Sequence, residues 1–227
     1  MANICIIPAR GGSKRIPGKN IKPFLAKPII AYAIQLAAES QLFDEIMVST
    51  DDEEIANIAK KYKANIPFMR SGKNANDFAT TADCIEEVLE KYDAKFDWAC
   101  CIYPTAVLAQ SEDIKKGFNK IKQEALEAVF PVVAFDYPIW RSLKVNEEDQ
   151  VEMNWPEFAR SRSQDLPKAY HDAGQWYWFD PESFKQQKRL FMNKSGYIEK
   201  SINEVQDIDT AEDWALAELK YQLLNKK

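Results

Sequence analysis

Apolar residues along the chain arrive in short runs that alternate with amphipathic stretches. Residues 4–7, Ile4-Cys5-Ile6-Ile7, read as a buried strand. Residues 29–38 are apolar with helical spacing behind Pro28, which suits a first helical turn. Residues 46–50 predict a second strand. Thr50-Asp51-Asp52-Glu53 then reads as a capping box for a helix reaching about residue 63, with Ile55, Ala56, Ile58 and Ala59 on one face and both aspartates acting mainly as caps. A third strand is expected at 65–69 and a helix at 82–92. Residues 97–103 form the most apolar strand candidate and should lie centrally. Residues 111–124 predict an amphipathic helix burying Ile114, Phe118 and Ile121. A strand at 128–135 carries Pro131, which argues for an edge or a bulge. Residues 175–179 predict a strand with Trp176 and Trp178 on one face, and 211–224 a final helix. Strand and helix in such short alternation imply an α/β fold, with parallel pairing and right-handed crossovers.

One stretch breaks the pattern. Residues 137–171 are aromatic, charged and poorly periodic, with short β-like runs at 141–145 and 150–154. A segment that long without its own core is expected to be functional or an interaction arm, and a hairpin carrying Trp140 and Trp155 needs somewhere to bury them, a subdomain packed within the monomer being the alternative. The chain of 227 residues therefore reads as one domain with this insertion inside it.

Charge and composition narrow the function. A net charge of −5 implies no basic face and argues against a dedicated nucleic-acid binder. No stretch approaches a membrane span, and the first apolar run is too short for a signal peptide. Cys5, Cys84, Cys100 and Cys101 fall in predicted strands and one helix, with no C-x-x-C spacing. They are expected to be buried thiols in a reducing cytoplasm, without structural zinc.

Candidate chemistry concentrates at two places. The first is the loop after strand one, Pro8-Ala9-Arg10-Gly11-Gly12-Ser13-Lys14-Arg15-Ile16-Pro17-Gly18-Lys19-Asn20, which holds three of the seven glycines and four basic side chains. Glycine lets backbone N–H groups approach a polyanion, and converging Arg and Lys neutralise it. It is neither G-x-x-x-x-G-K-[ST], since five residues separate Gly12 from Gly18 and Asn20 replaces the hydroxyl, nor G-x-G-x-x-G. The second is Gln206-Asp207-Ile208-Asp209-Thr210, whose carboxylates at i and i+2 share one side of an extended segment. Such a pair suits a hard divalent cation that also bridges phosphates, although Asp209 or Thr210 could instead cap the last helix.

The run from Ile7 to Asn20 resembles the signature loop of the CMP-sialic acid synthetase family of cytidylyltransferases, and the likeness extends from Ile4 to the final helix. The resemblance implies a three-layer, mostly parallel Rossmann-like nucleotidyltransferase sheet with a small β-rich dimerisation insertion at 137–171. It implies CTP as one substrate, held by Ala9, Arg10, Gly11, Ser13, Lys14, Lys19, Asn20, Arg70 and Thr80. Val48-Ser49-Thr50-Asp51 and Asp77-Phe78-Ala79-Thr80-Thr81 match family elements as well. Asp207 and Asp209 stand where the family binds its metal, implying Mg²⁺, and Lys19, Arg10 and Asp209 are the implied catalytic groups.

The second substrate implied is a nonulosonic acid. Arg160, Arg162, Gln164 and Tyr170 supply carboxylate forks and hydroxyl partners by residue type. Tyr103 stands where the sialic acid branch has Gln, and Tyr170-His171-Asp172-Ala173-Gly174-Gln175-Trp176-Tyr177-Trp178-Phe179 is most similar to the pseudaminic acid branch. His171, the only histidine, and Gln175 are read there as sugar contacts, His171 not as a general base. The expected activity is CMP-sugar formation for surface glycan or flagellin glycosylation, by a cytoplasmic homodimer. Sialic or legionaminic acid as substrate, and a nucleotide-binding regulatory protein without activity, are the alternatives.

Overall fold

A computed structural model of the chain describes residues 1–92 and 95–225. Its strands and helices begin with β1 (Asn3–Pro8), a small hairpin of β2 (Pro23–Phe24) and β3 (Lys27–Pro28), α1 (Ile29–Ser40), β4 (Glu45–Ser49), α2 (Glu53–Lys61), α3 (Gly72–Ala75) and α4 (Thr81–Lys91). They continue with β5 (Trp98–Ile102), α5 (Ser111–Gln123), β6 (Ala128–Ala134), a second hairpin of β7 (Leu143–Val145) and β8 (Val151–Met153), and β9 (Tyr170–Asp172). The chain closes with β10 (Trp176–Phe179), α6 (Pro181–Gln187), β11 (Ser195–Lys200) and α7 (Ala211–Leu224).

Seven strands make the central sheet, in the order β11-β6-β10-β5-β1-β4, with β9 also pairing β6. β4, β1, β5, β6 and β11 run one way, while β10 and β9 are antiparallel to their neighbours. The period-two alternation of β1 explains the layering: Cys5 and Ile7 pack with α1, α2 and α5 on one face, Ile4 and Ile6 with α4 and α6 on the other. A mostly parallel sheet covered on both faces is what the alternating pattern implied. β5 is interior, as its uninterrupted apolar run required.

α5 shows how closely the layers meet. Trp176 and Trp178 lie on one face of β10, and a Cβ at Gly117 would stand 2.5 Å from the Trp176 ring. Only glycine lets this helix settle on two tryptophans. A buried ion cluster ties α5 to the end of the edge strand β11, with Lys200 Nζ donating to Asp113 (2.6 Å) and to Glu204 (2.9 Å).

Three local expectations fail. The strand at 65–69 reduces to a single bridge between Asn65 and Met47, because Pro67 has no N–H to extend a ladder. The capping box is not centred on Thr50: Asp52 is the N-cap of α2, accepting from Ile55 N at 2.9 Å. Pro131 sits in an interior strand, not at an edge. Its carbonyl accepts from Ala173 N (3.1 Å) where the partner of β6 changes from β10 to β9, so its missing N–H falls in the gap between them.

In the segment 137–171 the β7–β8 hairpin forms as expected. Trp140 and Trp155 find cover in each other, with ring centroids 5.5 Å apart, and Phe158 joins them. Leu143, Val145 and Val151 remain exposed. Among the described residues no helix is long and apolar enough to cross a membrane.

Candidate active site

The loop after β1 is shaped by contacts at its base. Ala9 N donates to the Ser49 carbonyl (2.9 Å), and Asn20, itself buried, donates through Nδ2 to the Arg10 carbonyl (2.9 Å). Gly11 N donates to Asp51 Oδ1 at 3.0 Å, and a Cβ there would lie 2.8 Å from Asp52 Oδ2. Asp51 therefore holds the loop rather than capping α2, a correction to its expected role. The contacts of Ala9 and Gly11 fix the loop's path, and neither residue lines the cavity beyond it.

That cavity, about 820 Å³, opens at the carboxyl ends of β1 and β5. Such a crevice is where open α/β sheets bind ligands. Arg10, Ser13, Lys14, Lys19 and Asn20 line it from the loop; Arg70, Thr80 and Tyr103 form another wall; Asp207 and Asp209 close the third side. Two stretches 194 residues apart meet here: Arg15 Nη1 lies 2.6 Å from Asp209 Oδ2. Lys19 Nζ donates to the Ile208 carbonyl (2.8 Å) and reaches Asp209 Oδ1 at 3.5 Å. Arg10 pairs with Asp77 at 3.1 Å, and Lys14 bonds the same carboxylate.

Asp207 and Asp209 do share one side of their segment, since both face the cavity while Ile208 between them is buried. Capping of α7 falls instead to Thr210, in a reciprocal box with Asp213. Burial, and then the charge of Asp209, push the Asp207 carboxyl above its ordinary range. Two crowded carboxylates of that kind fit a divalent cation. No cluster of three or more His, Cys, Asp or Glu suited to a metal occurs among the described residues, so a cation here would need further oxygens from phosphate or water.

Arg70 is buried, donating to Ser49 Oγ (3.0 Å) and the Ser49 carbonyl (2.5 Å), which fixes its guanidinium against the end of β4. Thr80 caps α4 in a box with Asp83. Its neighbour Thr81 reaches the Tyr103 hydroxyl at 3.1 Å. Burial is the main reason the Tyr103 phenol is pushed up to about 12, so it enters any interaction protonated. Behind it Tyr177 stacks at a tilt, centroids 5.4 Å apart, and donates to Asp172 Oδ2 (2.5 Å).

The other sugar-contact candidates do not come to this cavity. Arg160, Arg162 and Gln164 are exposed on the segment 137–171, with Arg162 paired to Asp165 at 2.7 Å. Tyr170 bonds Glu199 (3.2 Å), His171 packs against Phe135, and Gln175 is buried with its amide on the Glu204 carbonyl (2.8 Å). Conversely, Arg15, Asp77, Phe78, Thr81 and Thr105 line the cavity, although the sequence alone assigned them no site role. Arg15 was visible as a fourth loop cation, and Asp77 as part of the segment that carries Thr80.

Residues 4–200 match the family described as cytidylyltransferase. The chain belongs to the cytidylyltransferase family. The family match takes in the whole N-terminal loop of this cytidylyltransferase but stops ahead of Asp207 and Asp209. Individual relatives align over a longer span. A pseudaminic acid cytidylyltransferase of Campylobacter jejuni subsp. jejuni serotype O:23/36 is 42% identical over 226 residues, covering 98% of this chain and 97% of that protein. A CMP-N,N'-diacetyllegionaminic acid synthase of Legionella pneumophila is 34% identical over 232 residues, covering 96% and 95%. Among solved structures, CMP:2-keto-3-deoxy-manno-octonic acid synthetase complexed with CTP superposes with a TM-score of 0.69 over 99% of each chain. At 18% identity that likeness speaks for the cytidylyltransferase fold alone.

Proposed function

We propose that this chain joins CTP to a nonulosonic acid, pseudaminic acid, giving the CMP-sugar and pyrophosphate. The observation that carries the reading is the 42% identity, over nearly the whole of both chains, to the Campylobacter jejuni pseudaminic acid cytidylyltransferase, against 34% to the legionaminic acid enzyme. The cavity supports it, because the cationic loop and the two carboxylates line one crevice of a size suited to a nucleoside triphosphate.

On this reading the triphosphate lies along Arg10, Ser13, Lys14, Lys19 and Asn20, with the base toward Arg70 and Thr80. The anomeric hydroxyl oxygen of the sugar attacks the α-phosphorus. A new O–P bond forms as the bond from the α-phosphorus to the bridging oxygen breaks, pyrophosphate departs and the hydroxyl proton passes to solvent. Protein contributes little covalent chemistry to such a step; alignment and neutralisation of developing charge dominate. Lys19, steadied by the Ile208 carbonyl, and Arg10 stabilise charge on the leaving pyrophosphate. Asp207 and Asp209 would hold Mg²⁺, which when bound neutralises phosphate oxygens.

Tyr103 is the sugar-side residue of the cavity wall. Arg160, Arg162, Gln164, Tyr170 and His171 would act on the sugar only from a homodimer whose 137–171 arm completes the partner's site. The exposed Leu143, Val145 and Val151 of that arm support such a contact, whereas buried Gln175 would not take part in it. Four buried free thiols, Cys5, Cys84, Cys100 and Cys101, suit the reducing cytoplasm, and surface glycan or flagellin glycosylation would consume the product.

Purified protein mixed with CTP, Mg²⁺ and pseudaminic acid should release pyrophosphate and yield a CMP-linked sugar by mass spectrometry. CTP binding with no pyrophosphate release from any nonulosonic acid would overturn the assignment.

A further inference from the structure

Asp77 has no part in the reaction just described, yet its carboxylate occupies two of the four loop cations. Arg10 Nη1 donates to Asp77 Oδ1 at 3.1 Å and to the Asn76 carbonyl at 3.0 Å, and Lys14 bonds Asp77 Oδ2. The remaining two cations, Arg15 and Lys19, are paired with Asp209. Every basic side chain of the loop is therefore already matched to a carboxylate from one of the other two sides of the cavity.

The pairing is built on fixed supports. Asn76 Oδ1 accepts from Phe78 N (2.8 Å) and Ala79 N (3.0 Å), a turn that carries Asp77 and runs directly into the capped start of α4. On the other side Asn20 and Asp51 shape the loop that carries Arg10 and Lys14. Lys14, and then Arg10, hold the Asp77 carboxyl below its ordinary range, so it stays charged at neutral pH. Carboxylate and phosphate oxygens compete for the same guanidinium and ammonium donors.

We propose that Asp77 is a built-in stand-in for phosphate, a specificity-determining residue that any anion must displace from Arg10 and Lys14 to enter the loop. A polyphosphate carries enough charge to take both cations. A singly charged anion does not, so the loop favours polyphosphates over monovalent anions. As pyrophosphate leaves, Asp77 returns to the cations and speeds its departure. The inference rests on the nucleotide reading above.

Its test is calorimetric titration of CTP, and separately of inorganic pyrophosphate, into the wild-type chain and Asp77→Asn at low and high salt. Exposed ion pairs are individually weak, so D77N should bind both ligands roughly three- to tenfold more tightly at low salt, with the gap narrowing at high salt. Pyrophosphate should also inhibit D77N turnover at correspondingly lower concentration. Asp77→Ser repeats the test if Asn disturbs the turn. Equal or weaker binding by a folded variant makes Asp77 a mere brace and overturns the inference. A wild-type chain that binds neither ligand overturns the nucleotide reading, and this inference with it.

Discussion

Arg15 and Asp209 stand 194 positions apart in sequence, yet Nη1 and Oδ2 meet at 2.6 Å and join the two chemical segments of the chain into one site. Asp209 also faces Lys19 and shares the cavity with Asp207. Replacing it with Asn keeps the shape and removes the charge. Asp209→Asn should lower turnover on the order of 100- to 1,000-fold, the scale seen when one transition-state electrostatic group is removed. The lost pairs are partly exposed, so the melting temperature should move by no more than about 4 °C. Pyrophosphate release and a thermal melt on one preparation check both; near-normal turnover with Mg²⁺ would remove Asp209 from the mechanism.

Gly117 tests the packing of α5 on the sheet. A methyl there would stand 2.5 Å from the Trp176 ring and 3.1 Å from Trp178, both buried and unable to yield cheaply. Gly117→Ala should destabilise the chain by about 1–3 kcal/mol, as overpacking does, despite alanine's better helix propensity. Urea denaturation measures it. Unchanged or raised stability would mean that the helix can lift off without cost.

Glu87 anchors the wall that carries Arg70. Its carboxylate accepts from Ser71 N (2.8 Å), Ser71 Oγ (3.0 Å), Asn74 (2.8 Å) and Lys91 (2.5 Å) while almost fully buried. Burial alone pushes its carboxyl up, but the bonds from Lys91, Ser71 and Asn74 outweigh it and hold the group at about 2, below the ordinary 4.5. A depressed carboxyl stabilises the fold above its ordinary value and loses that contribution as pH falls through 4.5 toward 2. The wild-type advantage over Glu87→Gln should be about 3 kcal/mol at neutral pH and shrink across that window. Denaturation midpoints from pH 7 downward follow it, and a pH-independent gap would contradict a titrating Glu87 as its source.

Val145 and Val151 pair across the β7–β8 hairpin and are exposed in the single chain. If that hairpin is the dimer contact, Val145→Asp with Val151→Asp should convert a dimer to a monomer in sedimentation while leaving far-UV circular dichroism unchanged. A wild-type monomer, or a double variant that stays dimeric, would place the contact elsewhere or remove it.

Much of this was legible in the sequence, for physical reasons that differ by element. β1, β5 and β10 are runs of apolar residues buried on both faces, and such runs announce themselves without any partner in view. The loop from Arg10 to Asn20 is equally local, because its chemistry depends on residue types packed into one turn. What escaped was non-local or depended on a single group. Pro67 removed a strand that its neighbours favoured. Pro131 was tolerated in mid-sheet because a change of partner strand opened a gap at that residue. Asp51 resembled a cap until Gly11 N was seen to be its partner. Asp77 meets Arg10 across 67 positions, a pairing that no local pattern reports. Residue type alone was a poor guide to position for Arg160, Arg162 and Gln164, which sit on the exposed segment 137–171 and do not line the cavity.

The most direct measurement is kcat/KM for pyrophosphate release with CTP and Mg²⁺ across pseudaminic, legionaminic and sialic acids, with a chelator control. Turnover is expected with pseudaminic acid, at least about tenfold lower efficiency with the other two, and none after chelation; a difference of one or two hydrogen-bonding groups is enough for such discrimination. Preference for legionaminic or sialic acid would keep the cytidylyl transfer and contradict the inference from Tyr103 and the 42% relative. No release from any acid would contradict cytidylyl transfer itself.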